Sequence, residues 1–292
     1  MTALFKRKIK VTLGQVEITN NKIDFEITKT VGEDSNSAVI TIYNLNESTR
    51  GYIQQLESSK VIVEAGHLGL DPLTGKTLEN DDSLFVVFHG DLKQAFQTRQ
   101  GSDWITRLEL GDGHEATSLK RVKLSFKKGT TYKQIALSVL EEAFKETKEE
   151  KKVNIGNAVK TLTELTASPT TNGISFSGPG AEALAESLAP LNLKFLIIDN
   201  AVYIKETGLS IKAPIPLITK DSGLIGSPEP GKDGTIKFRA LIQKGLLPGH
   251  KVEIVSSASS IGSLFLIERV DMRGSSYGGN EFTASLECKE TT

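Results

Sequence analysis

Cysteine is nearly missing from this chain: Cys288 is the one example in 292 residues. That excludes an intrachain disulfide and a cysteine-built metal cage, and it fits folding in a reducing compartment. Aromatic residues make up only 6%, too few to suggest the clusters of exposed rings with which β modules grip carbohydrate. Neither sign of charge dominates, with 35 Lys and Arg against 36 Asp and Glu, so no global basic excess points to nucleic acid. Long apolar runs are absent too. A stretch such as Phe195–Ile198 is far short of the roughly 20 residues that span a bilayer. The opening residues MTALFKRKIK lack the apolar segment of a secretory signal. What is present is a chain long enough for a large core and for two or three domains, with ordinary hydrophobic and charged fractions of 38% and 24%.

The chemistry-bearing residues do not assemble into a motif. Gly75–Lys76–Thr77 invites a phosphate-loop reading, but the glycine that motif needs at position 70 is Leu70, Pro72 interrupts the stretch, and no helical pattern follows. There is no GxGxxG and no GxSxG. His67, His89, His114 and His250 have no close His or Cys partner. His89–Gly90–Asp91 and Asp112–Gly113–His114–Glu115 are the acid–histidine neighbours, and both read as turn chemistry at strand ends. Cys288 sits between Glu287 and Lys289 at the end of a strand. Glu141 and Glu142 fall on the polar face of a helix. Trp104 reads as a core or edge aromatic. Two basic groups stand out, Lys6, Arg7, Lys8 and Lys10 at the start and Lys120, Arg121, Lys123, Lys127 and Lys128 further on. Each is a solvated surface or a contact for an acidic partner. The expectation is no enzyme, with no catalytic, cofactor-binding or metal-binding residue and no cofactor.

Period-two alternation dominates the first part of the chain. Lys8–Leu13, Ile23–Ile27, Ala38–Leu45, Val61–Ala65, Ser83–Phe88, Leu92–Thr98 and Trp104–Leu110 read as strands. Ile40 and Ile42 lie on one face of the third of these, and Val39, Tyr43 and Leu45 on the other, so both faces are expected to be covered. Glu47–Leu56 reads as a helical turn or two. Gly66–Asp82 is a long polar loop, expected to be disordered or a docking element. Residues 1–118 thus read as an all-β domain, a sandwich or barrel of seven or eight strands.

The period then changes. Val122, Leu124 and Phe126 mark a short strand, and Thr130–Thr131 cap a helix carrying Tyr132, Ile135, Ala136, Val139, Leu140, Ala143 and Phe144 inward. Lys145–Lys152 is a charged helix end, and 153–171 is ambiguous. Gly173–Ser177 is a strand, a helix follows Gly180 with Pro190 beyond it, and Leu193–Ile198 turns through Asp199–Asn200 into Ala201–Lys205. Residues 119–211 read as a small α/β domain. Beyond a Pro214 and Pro216 linker or edge strand, Gly223–Gly234 reads as a structured loop, and Ser257–Ser263 as a flexible tip. Thr235–Leu241, Lys251–Ser256 and a long hairpin of Leu264–Met272 with Asn280–Lys289 make 212–292 a second all-β domain. The fold class is α+β, mainly β: two antiparallel β-barrel or sandwich tube-like domains flanking a small α/β domain. The order of pieces in the first domain matches the last when Ile23–Ile27 is set against Ile236–Leu241, and Ala38–Leu45 against Val252–Val255.

Three stretches carry a family likeness. They are Asn36–Arg50, with its strand ending Tyr43–Asn44–Leu45 before Thr49–Arg50; Phe126–Tyr132 leading into an amphipathic helix; and Gly223–Glu229 followed by Ile236–Leu241 and Leu247–Gly249. In these the chain resembles the baseplate hub proteins of contractile-tailed bacteriophages, the late control protein D-like group. The resemblance implies a homotrimer whose two tube-like β domains per chain form a pseudo-six-fold ring. That ring adapts the six-fold tail tube to the three-fold central spike and leaves a lumen for DNA in transit. It implies a virion structural protein of the tail baseplate, assembled in the host bacterial cytoplasm. Its partners would be tail tube protein, central spike protein and tape measure protein, with no membrane insertion by this chain and spike and lysozyme functions on separate proteins. Two other readings use the same β elements. One is a distal-tail or tube-initiator ring protein of a non-contractile tail, and the other a cell-wall-degrading tail enzyme.

Overall fold

Ile9, Val11 and Leu13 alternate with polar residues, and all three are buried, so the first strand presents one apolar face to a core, as its period requires. The same logic builds most of the chain. A computed structural model describes residues 6–31, 36–56, 59–68, 83–112, 121–145, 153–211, 213–231, 234–255, 264–277 and 281–291. Its elements run β1 (Lys6–Leu13), β2 (Val16–Ile18), β3 (Ile23–Thr30), β4 (Ser37–Tyr43), α1 (Glu47–Gln55), β5 (Lys60–Leu68), β6 (Phe85–Gln100), β7 (Asp103–Gly111) and β8 (Arg121–Phe126). They continue with α2 (Tyr132–Ala143), α3 (Gly156–Thr163), β9 (Ile174–Pro179), α4 (Gly180–Leu188), β10 (Leu193–Ile198) and β11 (Ala201–Glu206). The last six are β12 (Leu217–Ile218), β13 (Leu224–Pro230), β14 (Thr235–Leu241), β15 (Lys251–Ile254), β16 (Leu264–Ser275) and β17 (Phe282–Glu290).

The segments 1–118 and 212–292, expected as two β-barrel or sandwich domains, contribute strands to one sheet. Residues 1–111 and 212–292 form one compact unit. Its 13-stranded sheet runs β13-β14-β17-β16-β3-β4-β7-β6-β5-β1-β2, with β15 on β16 and β12 on β15. Among the described residues it does not close into a barrel. The first and last segments meet where β16 pairs antiparallel with β3, from Arg269 opposite Thr30 to Ser275 opposite Asp24. One core lies behind both, drawing Phe25, Ile40, Val63, Phe88 and Leu108 from one segment and Phe238, Phe265, Ile267 and Leu286 from the other. The reason is an edge: a strand as long and apolar as β3 leaves a row of backbone groups to satisfy, and β16 satisfies them.

Gly223–Gly234, expected as a loop, contains β13. Leu224 and Ile225 pair with β14, the register shifts, and Glu229 and Pro230 pair again. Its prolines and glycine are tolerated because it is the outermost strand and carries a bulge. Pro214 and Pro216 precede the two-residue β12, which pairs parallel to β15. The expected readings of Gly66–Asp82 beyond residue 68, of Ser257–Ser263 and of Lys145–Lys152 beyond residue 145 fall outside the described residues.

Residues 112–211 form the second compact unit, a few residues longer than the expected 119–211. β8 pairs with β9, and β10 with β11. Asp199 and Asn200 both take positive φ, 51° and 59°, the turn their sequence calls for. Thr131 caps α2 in a capping box with Gln134. Ile135, Val139, Leu140, Phe176, Leu184, Leu188 and Val202 form its own core. The ambiguous stretch 153–171 holds α3, whose Ala158 and Leu162 are buried.

Candidate functional site

Several of the described side chains singled out above serve the structure. Asp91 is ion-paired with Lys60 at 2.7 Å, directly opposite it across β5 and β6, and His89 faces Ile62 on the same ladder. Asp112 accepts a hydrogen bond from the Asn200 backbone N–H at 2.9 Å, bracing the β10–β11 turn. His67 lies edge-on to Phe282, and burial, then the Arg7 charge, lowers its imidazole pKa. His250 is buried, and burial lowers its pKa as well. His114 lies outside the described residues. Cys288 is buried, and its thiol pKa is pushed far up by burial and by Glu268 and Glu287, the opposite of a nucleophilic cysteine. Glu142 pairs with Lys145 on the polar side of α2. Among the described residues no three or more His, Cys, Asp or Glu gather as a metal site, and no helix is long and apolar enough to cross a membrane.

The two basic groups separate in character. In β1, Lys10 is paired with Glu64 at 2.8 Å, and Arg7 lies over the Phe282 ring at 5.3 Å. Arg121, Lys123, Lys127 and Lys128 are all exposed along and just after β8.

What the sheet does hold is the same topology twice. Neighbour order in the first segment is β3-β4-β7-β6-β5-β1. In the last it is β13-β14-β17-β16-β15-β12, and the strands occur in the same chain order in both. The ladders match in detail. β6 carries a bulge at Lys93, between Leu92 opposite Leu110 and Gln94 opposite Glu109. β16 carries one at Glu268, between Ile267 opposite Cys288 and Arg269 opposite Glu287. Lys60 and Val61 pair with β6 where Lys251 and Val252 pair with β16. The equivalence expected from sequence was displaced by one strand: β3 corresponds to β13 and β4 to β14, so Ala38–Tyr43 matches Ile236–Leu241. The match breaks where β1 runs antiparallel to β5 whereas β12 runs parallel to β15, and where β13 carries a bulge that β3 lacks.

The eight strands from β13 to β6 bury one face in the core and leave the other open. The open face is polar, and five of its cations are compensated within the face. Arg107 pairs with Glu109, Lys237 with Glu287, Arg239 with Glu281, Arg269 with Asp271 and Arg273 with Glu26, at 2.7 to 3.9 Å. Hydrogen bonding from Arg269 holds the Asp271 carboxyl below the usual range, with help from the Thr28 hydroxyl, which donates to it at 2.7 Å. Exposed pairs of this kind add little stability; their effect is to leave no strong field of either sign. Val39 and Tyr43, expected to be covered, sit half-exposed on this face.

Two edges are left. β13 is the outermost strand, and β6 beyond Asp91 pairs only with β7 among the described residues. Large apolar side chains are exposed at both: Phe96 at 39% on β6, Trp104 at 36% on β7, opposite Arg99 and under the Arg50 guanidinium, and Ile225 at 36% on β13.

No protein-family model matches the sequence, and no curated protein does. Solved structures match the fold along nearly its whole length. A tail protein from Neisseria meningitidis superposes with a TM-score of 0.61 at 12% identity, over 98% of this chain and 97% of that one. The 43 kDa tail protein of prophage MuSo2 from Shewanella oneidensis gives 0.58 at 10% identity, over 98% of each. The E. coli c3393 protein gives 0.58 at 9% identity, over 97% of this chain and 77% of that one. It is described as a type VI secretion component structurally similar to the T4 bacteriophage tail proteins gp27 and gp5. At such identities the likeness is one of fold.

Proposed function

We propose that this chain is a structural protein of a phage-type tail, a baseplate hub in which three copies form a pseudo-six-fold ring around an open lumen. The observation that carries the reading is the repeated strand topology: one chain supplies two equivalent wall segments, and three chains supply six. Such a ring meets a six-fold tail tube on one side and a three-fold central spike on the other, with tape measure protein and DNA passing through. Three walls of eight strands at about 4.8 Å per strand have a circumference of about 115 Å, a bore of roughly 37 Å between backbones, and strand tilt widens it. That leaves room for a nucleic-acid duplex inside the side chains. The charge-compensated open face suits a lumen that passes a polyanion without holding it. The fold likeness to tail proteins supports the same assignment, with a place in the virion tail after assembly in the bacterial cytoplasm. No catalytic residue enters the reading. Native mass spectrometry tests it: the expected species is three times the 31.6 kDa chain. Six copies would instead favour a distal-tail ring, and a monomer at micromolar concentration would overturn the hub assignment.

A further inference from the structure

The contact that joins the repeats is made once within the chain and is left unmade at its two ends. β16, past its bulge, pairs with β3. The counterpart of β16 is β6, whose edge past its own bulge is open among the described residues; the counterpart of β3 is β13, whose outer edge is open among them too. We propose that β6 of one copy pairs antiparallel with β13 of the next copy, in the register of the internal join, and that this strand pairing is the subunit interface. The proposal rests on the ring reading above and adds what holds the ring together.

The register follows from the ladders. Aligning the bulges sets Gln97, Thr98 and Gln100 in the places of Met272, Arg273 and Ser275. Common partners in β4 and β14 set Pro230, Glu229 and Ile225 in the places of Ile27, Glu26 and Asp24. Met272 faces Ile27, Arg273 faces Glu26 and Ser275 faces Asp24. Gln97 therefore faces Pro230 of the neighbour, Thr98 faces Glu229, and Gln100 faces Ile225. The join is head-to-tail, the arrangement that closes into a ring, and it covers backbone edges that would otherwise stay open.

A matched pair of differences supports this partner. In the internal join residue 274 must be glycine, because a Cβ there would lie 2.5 Å from Phe25 Cε1 and 3.1 Å from Phe282 Cδ2. Its counterpart in β6 is Arg99. The counterpart of Phe25 in β13 is the bulged segment Gly226–Pro228, which holds no aromatic ring. A side chain is admitted on one strand where the ring is missing from the other. The exposed Ile225 lies on the open face of β13, where its pairing with Gln100 shields it.

The test is a disulfide between copies of the full chain carrying Thr98→Cys and Glu229→Cys. Residues opposite each other on antiparallel strands have Cα atoms about 4.5 to 5.5 Å apart, within the span a disulfide bridges, and the native Cys288 is buried. Both sites are exposed, and circular dichroism verifies the fold of the variant. After mild oxidation, non-reducing gels should show dimer and a terminal trimer. Each single variant should stay monomeric on the gel, and an equal mixture of the two single variants should stop at dimer. A native trimer that forms no Thr98–Glu229 disulfide would overturn this interface and leave the ring reading standing. A ladder running past trimer would uphold the strand pairing and overturn the three-fold ring. A protein that is monomeric by native mass and does not crosslink would overturn both.

Discussion

A methyl group at residue 274 is the smallest probe of the internal join. The Phe25 ring is buried against that backbone and packs edge-on to Phe282 with centroids 6.1 Å apart, so it has no free space into which to retreat. Gly274→Ala should lower unfolding stability by about 1–3 kcal/mol, the usual cost of overpacking. Arg99→Ala, at the counterpart position, should stay within about 0.5 kcal/mol in the isolated chain. Chemical denaturation of the two variants side by side checks the contrast. His250 gives a second probe. Its backbone is fixed by Leu247 and Ile267, and burial favours the neutral imidazole. The folded pKa is therefore below the unfolded value of about 6.5, so stability is whole above that pH and falls as acid protonates the unfolded chain first. Tm should drop between pH 7 and pH 5, and His250→Gln should flatten that slope; an unchanged slope would refute the burial account.

Elements whose signal is local were legible in the sequence, and those that depend on a partner were not. β1, β4, β14 and β16 alternate cleanly, and α2 announces itself with Thr131 and an apolar stripe. Removing that cap by Thr131→Ala should cost about 1 kcal/mol, read as a lower thermal midpoint for residues 112–211 by hydrogen exchange across α2. α3 has no such start: Ile155 occupies its cap position and makes no side-chain cap bond, although Ile155, Ala158, Val159 and Leu162 recur at helical spacing and pack inward. β13 was hidden because Gly226, Pro228 and Pro230 are the composition of a loop, and only pairing with β14 makes it a strand. Losing that one strand displaced the whole comparison of the repeats. The polar open face could be seen as the outward half of each alternation. The two open edges could not, because which strand ends up outermost is decided by β16 and β3 pairing across some 240 residues of sequence.

At the scale of the molecule, the chain is two units with separate cores. The smaller is set between the two runs of the repeated topology and leaves and re-enters the larger at residues 111 and 212. The repeated topology is imperfect, and the two runs differ at β12 against β1 and at β13 against β3. The pairing of β16 with β3 also carries a cost in time. A ribosome adding about 5–20 residues per second needs on the order of 10–50 s to travel from β3 to β16. Throughout that interval the nascent β3 edge has no lid, with Ile23, Phe25 and Ile27 beside it. Contacts so distant along the chain also slow the search for the native state once synthesis ends. Production of this protein is accordingly governed by how well that waiting strand is shielded, and chains cut short before β16 are the species that should clump.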